Sequence, residues 1–165
     1  TEVHDLPFDN CDGTPCRWSD AAGIQYASGV QNTLGLIYYT SGPGSLQIAG
    51  EYTITDERPF PNLGDTMHKV GRTTGTTSGT VVASCADTPV DGILLLCQEH
   101  VQGTGVIVGG GDSGSPVFDN ISGDNVRLVG ILWGGTLDGL LFAFSAMNEV
   151  RFENEAPEGL TWVTH

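Results

Sequence analysis

Apolar residues along the chain come in short runs separated by clusters of Gly, Pro, Ser, Asn and Asp. The runs are Leu34–Thr40, Leu46–Thr53, Met67–Gly71, Gly79–Ser84, Ile93–Gln98, Pro116–Phe118, Val126–Trp133 and Leu140–Ser145. Segments this short, bounded by turn formers such as Ser41-Gly42-Pro43-Gly44, Pro59-Phe60-Pro61-Asn62 and Asp138-Gly139, predict strands. Leu46-Gln47-Ile48 and Glu51-Tyr52-Thr53-Ile54 alternate as half-buried strands do, although Gly50 interrupts them. Val126–Trp133 is nearly all apolar, as a central strand requires. Apolar positions at helical spacing occur over Ser145–Phe152, through Met147 and Val150. Residues 1–18, with Pro7, Gly13 and Pro15, read as a loop or arm. The pattern predicts an all-β sandwich or barrel with one short helix.

Composition agrees with strands and turns. Gly contributes 24 of 165 residues and charged residues only 16%, a balance unlike that of a helix bundle. Twenty acids face six bases, with Lys69 the only lysine, for a net charge of −14. Such a field repels a phosphate backbone and an anionic lipid surface, so neither nucleic acid nor membrane is an expected partner. No apolar run approaches the roughly 20 residues of a membrane helix. The chain opens at Thr1 without an initiator Met and is expected to be a processed product.

The cysteines form two close pairs in sequence, Cys11 with Cys16 and Cys85 with Cys97. Four cysteines allow three connectivities, and sequence alone does not choose among them. Neither pair has a Cys or His partner at zinc-site spacing, so no metal is expected, and no motif calls for another cofactor. Two local disulfides would suit a secreted, extracellular protein; four reduced thiols in the cytoplasm are the alternative. Asn120-Ile121-Ser122 matches a glycosylation sequon, a frequent chance match.

Chemistry concentrates in Gly109-Gly110-Gly111-Asp112-Ser113-Gly114-Ser115-Pro116-Val117. Acyl transfer needs a hydroxyl on a tight turn with backbone N–H groups aimed where an oxyanion forms, and glycines permit both. Ser113 is then the nucleophile, and the N–H groups of Gly111 and Ser113 form the oxyanion hole. An ordinary Gly-rich hairpin holding an inert serine is the competing reading. The apolar strand with Gly130-Ile131-Leu132-Trp133-Gly134-Gly135 that follows weighs against it.

With these residues the chain resembles the chymotrypsin-like (trypsin-fold) serine proteases, most closely their secreted bacterial members. Gly111–Pro116 is similar to their nucleophile loop, and Val129–Gly135 to the strand that lines the specificity pocket and pairs with bound peptide. Lys69-Val70-Gly71-Arg72-Thr73-Thr74-Gly75 resembles the entry to their second barrel, and Trp18-Ser19-Asp20-Ala21-Ala22 the segment holding the triad aspartate. The resemblance implies two six-stranded antiparallel β-barrels. It makes Asp20 the orienting carboxylate, and Leu132, Trp133, Gly134, Gly135 and Val108 substrate-binding. Such a layout divides the chain into an exposed arm (1–17), part of the first barrel and a linker (18–65), the second barrel with nucleophile loop and helix (66–152), and a tail (153–165).

A serine needs an imidazole to take its proton and an aspartate to hold that imidazole. In the family the histidine precedes the aspartate, among small residues and next to a cysteine. His4, 16 residues before Asp20, lacks that setting. His68 lies in a strand run, His100 is 13 residues before Ser113 and suits a pocket rim, and His165 ends the sequence. The expectation is therefore that the first barrel is incomplete in this chain. The histidine would come from an N-terminal fragment of the same precursor, bound as a separate chain after a nick near residues 1–17, or that segment is replaced by a partner.

Acid-preferring relatives carry a histidine in the pocket strand where Leu132 stands here. Val106-Ile107-Val108 carries no aspartate of the kind that selects Lys or Arg. A medium apolar or small side chain is the expected cleavage-site residue. The reading is a serine endopeptidase acting on peptide or protein substrates. The alternatives are a non-catalytic protease-fold binding or structural protein that has lost its histidine, and an enzyme confined to esters.

Overall fold

The computed structural model describes residues 2–4, 7–24, 26–31 and 33–154. Four short strands come first, β1 (Glu2–His4), β2 (Asp9–Cys11), β3 (Thr14–Arg17) and β4 (Gly23–Ile24). The hairpin of β5 (Leu36–Thr40) and β6 (Ile48–Glu57) follows. Then come β7 (Thr66–Gly71), β8 (Gly75–Val90), β9 (Ile93–Gln102), β10 (Pro116–Ser122), β11 (Asn125–Gly135) and β12 (Leu141–Ala146), and helix α1 (Met147–Asn154). Among the described residues no helix is long and apolar enough to cross a membrane.

β7 through β12 close into a ring. Antiparallel pairing runs β7–β8–β9–β12–β11–β10 and back to β7. Met67, Val81, Val101, Val117, Val129, Leu132, Phe142 and Phe144 fill its interior with Ile107 and Val108. Period-2 alternation on β7 turns Met67, Lys69 and Gly71 to the buried side. Lys69, the lone lysine, therefore occupies an inward position.

The other strands add to the edges of this ring and form no second closed ring among the described residues. The β2–β3 hairpin joins through parallel pairing of Cys16 and Arg17 with Leu94 and Leu95 on the first half of β9. The β5–β6 hairpin joins through parallel pairing of β6 with the first half of β11. Ile37, Phe118 and Val126, with Tyr52, Ile54 and Val70 beside them, form a small core under the second hairpin. In both β9 and β11 the second half pairs instead with β12.

Every expected strand is present, several of them longer than the apolar runs. β8 begins at Gly75 rather than Gly79, because Thr76, Thr77 and Thr80 suit a strand without being apolar. The stretch read as an arm instead folds in part. Asp12 and Gly13 take positive φ of 50° and 89°, the type I′ turn that joins β2 to β3. Asp91 and Gly92 do the same between β8 and β9, at 48° and 83°. Disulfides link Cys11 to Cys16 across the first of these hairpins and Cys85 to Cys97 across the second.

Candidate active site

The loop between β9 and β10 is built from Asp112 outward. Asp112 and Lys69 are both wholly buried, with Lys69 Nζ 2.9 Å from the carboxylate. Thr74 Oγ1 donates to it at 2.6 Å, and the N–H groups of Thr73, Thr74 and Gly109 donate at 2.7, 3.2 and 3.0 Å. Burial alone would raise this carboxyl's pKa. The Thr74 and Lys69 hydrogen bonds, the Thr73 N–H and the Lys69 charge outweigh burial and hold it down at about 2. Lys69 Nζ also donates to Thr74 Oγ1 and to the Gly75 carbonyl at 3.2 Å, so its three protons are matched.

With Asp112 fixed below, Ser113 is exposed at the surface of the loop. Gly111 and Gly114 flank it with φ of +98° and +83°, conformations that a side chain would strain. Ser113 Oγ donates to the Trp133 carbonyl at 3.0 Å. Among the described residues no protein atom accepts a hydrogen bond from the N–H of Gly111 or of Ser113. Two donors of this kind beside a hydroxyl are what an oxyanion requires.

A cavity of about 250 Å³ opens beside Ser113, lined by Val108, Gly109, Gly110, Leu132, Gly134, Gly135, Thr136 and Leu137. A second, of about 320 Å³, shares Gly134 and Gly135 and adds Trp133, Asp20, Arg17, Phe8 and apolar residues of β8 and β9. Asp20 and Ser113 thus border two cavities that share Gly134 and Gly135 at the end of β11. Trp133 lines the second cavity and not the first.

Asp20 is held there through its backbone. Its N–H donates to Ser145 Oγ at 3.1 Å, and Ser145 Oγ donates to Gln98 Oε1 at 2.9 Å. The same Gln98 oxygen accepts from Trp133 Nε1 at 2.7 Å, while Gln98 Nε2 donates to the Trp18 carbonyl at 2.8 Å. Glu153, in the last turn of α1, accepts from the N–H groups of Trp18 and Ser19 and lies 3.7 Å from Arg17 Nε. Trp18 meets Phe152 edge-on at 5.7 Å. Sequence reading missed Gln98, Ser145 and Glu153. Gln98 and Ser145 each end an apolar run, and Glu153 lies in a charged stretch that gave no signal.

Among the described side chains, the two histidines lie elsewhere. His68 stacks on Phe118 at 5.8 Å, and His100 shares a 2.9 Å hydrogen bond with Thr88 Oγ1. Burial pushes both imidazoles below their usual pKa, with Asp119 partly offsetting this at His68. The His4 backbone pairs with Gly23, and His165 lies outside the described residues. Among the described residues no histidine lines either cavity.

No family model matches the chain, and no curated protein matches it. Solved structures do. A glutamic acid-specific serine protease that uses a histidine triad in substrate binding aligns with 82% of this chain and 65% of its own, at 20% identity and a TM-score of 0.63. Cellulomonas bogoriensis chymotrypsin aligns with 87% of this chain and 69% of its own, at 20% identity and a TM-score of 0.67. Nocardiopsis protease aligns with 82% and 65%, at 23% identity and a TM-score of 0.63. The chain spans about two thirds of the length of these proteins.

Proposed function

We propose, from the chymotrypsin-like fold shared with these bacterial serine proteases, that the chain is the nucleophile-bearing part of a secreted serine endopeptidase. Asp20 orients an imidazole that comes from outside this chain, on an N-terminal fragment of the same precursor. The observation that carries the reading is an exposed Ser113, on a loop locked by Asp112, between an open cavity and two unpaired N–H groups. Ser113 Oγ bonds to the peptide carbonyl carbon while its proton passes to the imidazole, and the oxyanion takes the N–H groups of Gly111 and Ser113. The C–N bond then breaks, the amine leaves with that proton, and water hydrolyses the ester to release the acid and restore Ser113. The cavity beside Asp20, at about 320 Å³, has room for an imidazole.

One observation favours a non-catalytic protein of the same fold: Ser113 Oγ donates to the Trp133 carbonyl and, among the described residues, faces no imidazole. Labelling by a fluorophosphonate, located by peptide mass, separates the two. Free imidazole should accelerate Ser113 labelling in a saturable way, and Asp20→Ala should weaken that acceleration about tenfold or more. Equal labelling with and without imidazole, or none at Ser113 under either condition, contradicts the enzyme reading.

A further inference from the structure

Resting on Ser113 as the nucleophile, we propose that the cavity beside it selects an uncharged apolar side chain on the residue whose carbonyl is attacked, against carboxylate and cation alike. Val108 and Leu132, 6% and 1% exposed, form its apolar wall. A Cβ on Gly135 would stand 2.5 Å from Val108 Cγ1, so the valine lies flat against that glycine and closes the cavity there. None of the lining residues is charged. Besides Ser113, the one side-chain hydroxyl is that of Thr136. It donates to Asp138 Oδ1 at 2.6 Å and accepts the Leu141 N–H at 3.2 Å, so it is committed to its own turn. Asp112 below the loop is committed to Lys69.

A carboxylate or guanidinium entering this space would lose water and gain no partner, whereas an aliphatic group loses nothing. At about 250 Å³ the cavity falls below the roughly 300–1,000 Å³ of sites for larger ligands and suits one side chain. The end of β11 offers the matching backbone edge. Gly134 and Gly135 pair with β12 on one side, while pairing with β10 stops at Ile131 on the other. An extended peptide can add there as a strand. The acid preference in the name of one structural neighbour therefore does not extend to this chain, whose His68 and His100 are engaged away from the cavity.

The test is binding without chemistry. N-acetyl tetrapeptide amides differing only in a final Leu, Glu or Arg are titrated into the ¹⁵N-labelled chain, following the amides of Gly110, Gly134 and Gly135. The Leu peptide should bind at least about tenfold tighter than the other two. Gly134→Val, whose Cβ meets no atom within 4 Å, should leave the dispersed spectrum intact and abolish the Leu peptide's shifts. Equal or tighter binding of Glu or Arg, no binding at all, or unchanged binding to Gly134→Val overturns the proposal. Leu-selective binding together with an unreactive Ser113 would instead sink the nucleophile reading and leave the cavity's selectivity standing.

Discussion

Among single residues, Lys69 and Asp112 carry the most. A lysine on the inward face of a strand would be a serious cost if unpaired, and here its ammonium meets the carboxylate of Asp112, next to Ser113. Lys69→Met should destabilise the fold by about 3–5 kcal/mol, because it leaves Asp112 buried without its counter-ion. Urea denaturation measures this, and a loss below about 1 kcal/mol would show the pair to be dispensable. The pH dependence has a definite sign. Asp112 has a folded pKa of about 2, below its unfolded value, so its stabilisation is present above about pH 4 and lost as pH falls through 2. Ser113 and its glycines were legible in the sequence because their spacing is local. The partnership of Lys69 with Asp112 was not, since 43 residues separate them and only folding brings them together.

At the scale of elements, β9, β12 and α1 together position the segment 18–20. Gln98 is wholly buried and joins Trp133, Ser145 and the Trp18 carbonyl through a single amide, while Glu153 of α1 takes the N–H groups on either side of that carbonyl. Gln98→Leu should leave Trp133 Nε1 and the Trp18 carbonyl without this partner. The expected results are a shifted Trp fluorescence maximum and a loss of stability of about 1–3 kcal/mol. Imidazole-assisted labelling of Ser113 should fall further than its unassisted labelling, because Asp20 hangs from the same network. An equal fall in both would mark Gln98 as structural alone. The sequence showed β9 and α1 as elements, but it could not show this use of them. A glutamine in a strand looks the same whether it faces water or a buried carbonyl.

Across the described residues, one closed ring carries the loop of Ser113, and two hairpins are attached to its flanks by parallel pairs, β3 with β9 and β6 with β11. The all-β class and the ring's strands were readable because antiparallel neighbours in sequence leave turn signals such as Asp91-Gly92. Parallel pairs between strands far apart in sequence leave none, so the attachment of the hairpins was not. Asp12-Gly13 between two cysteines was a readable hairpin signal. It was masked by the prolines on either side. The proposed arrangement places one imidazole in a gap between Ser113 and Asp20. A crystal structure of the fluorophosphonate-treated protein, soaked in imidazole, would show whether that gap exists. Phosphorus should sit on Ser113 Oγ, its oxygen about 2.7–3.1 Å from the N–H groups of Gly111 and Ser113, with an imidazole bridging to an Asp20 carboxylate about 7–8 Å from that Oγ. Phosphorus on another residue, or Asp20 turned away with no imidazole between it and Ser113, would rule this arrangement out.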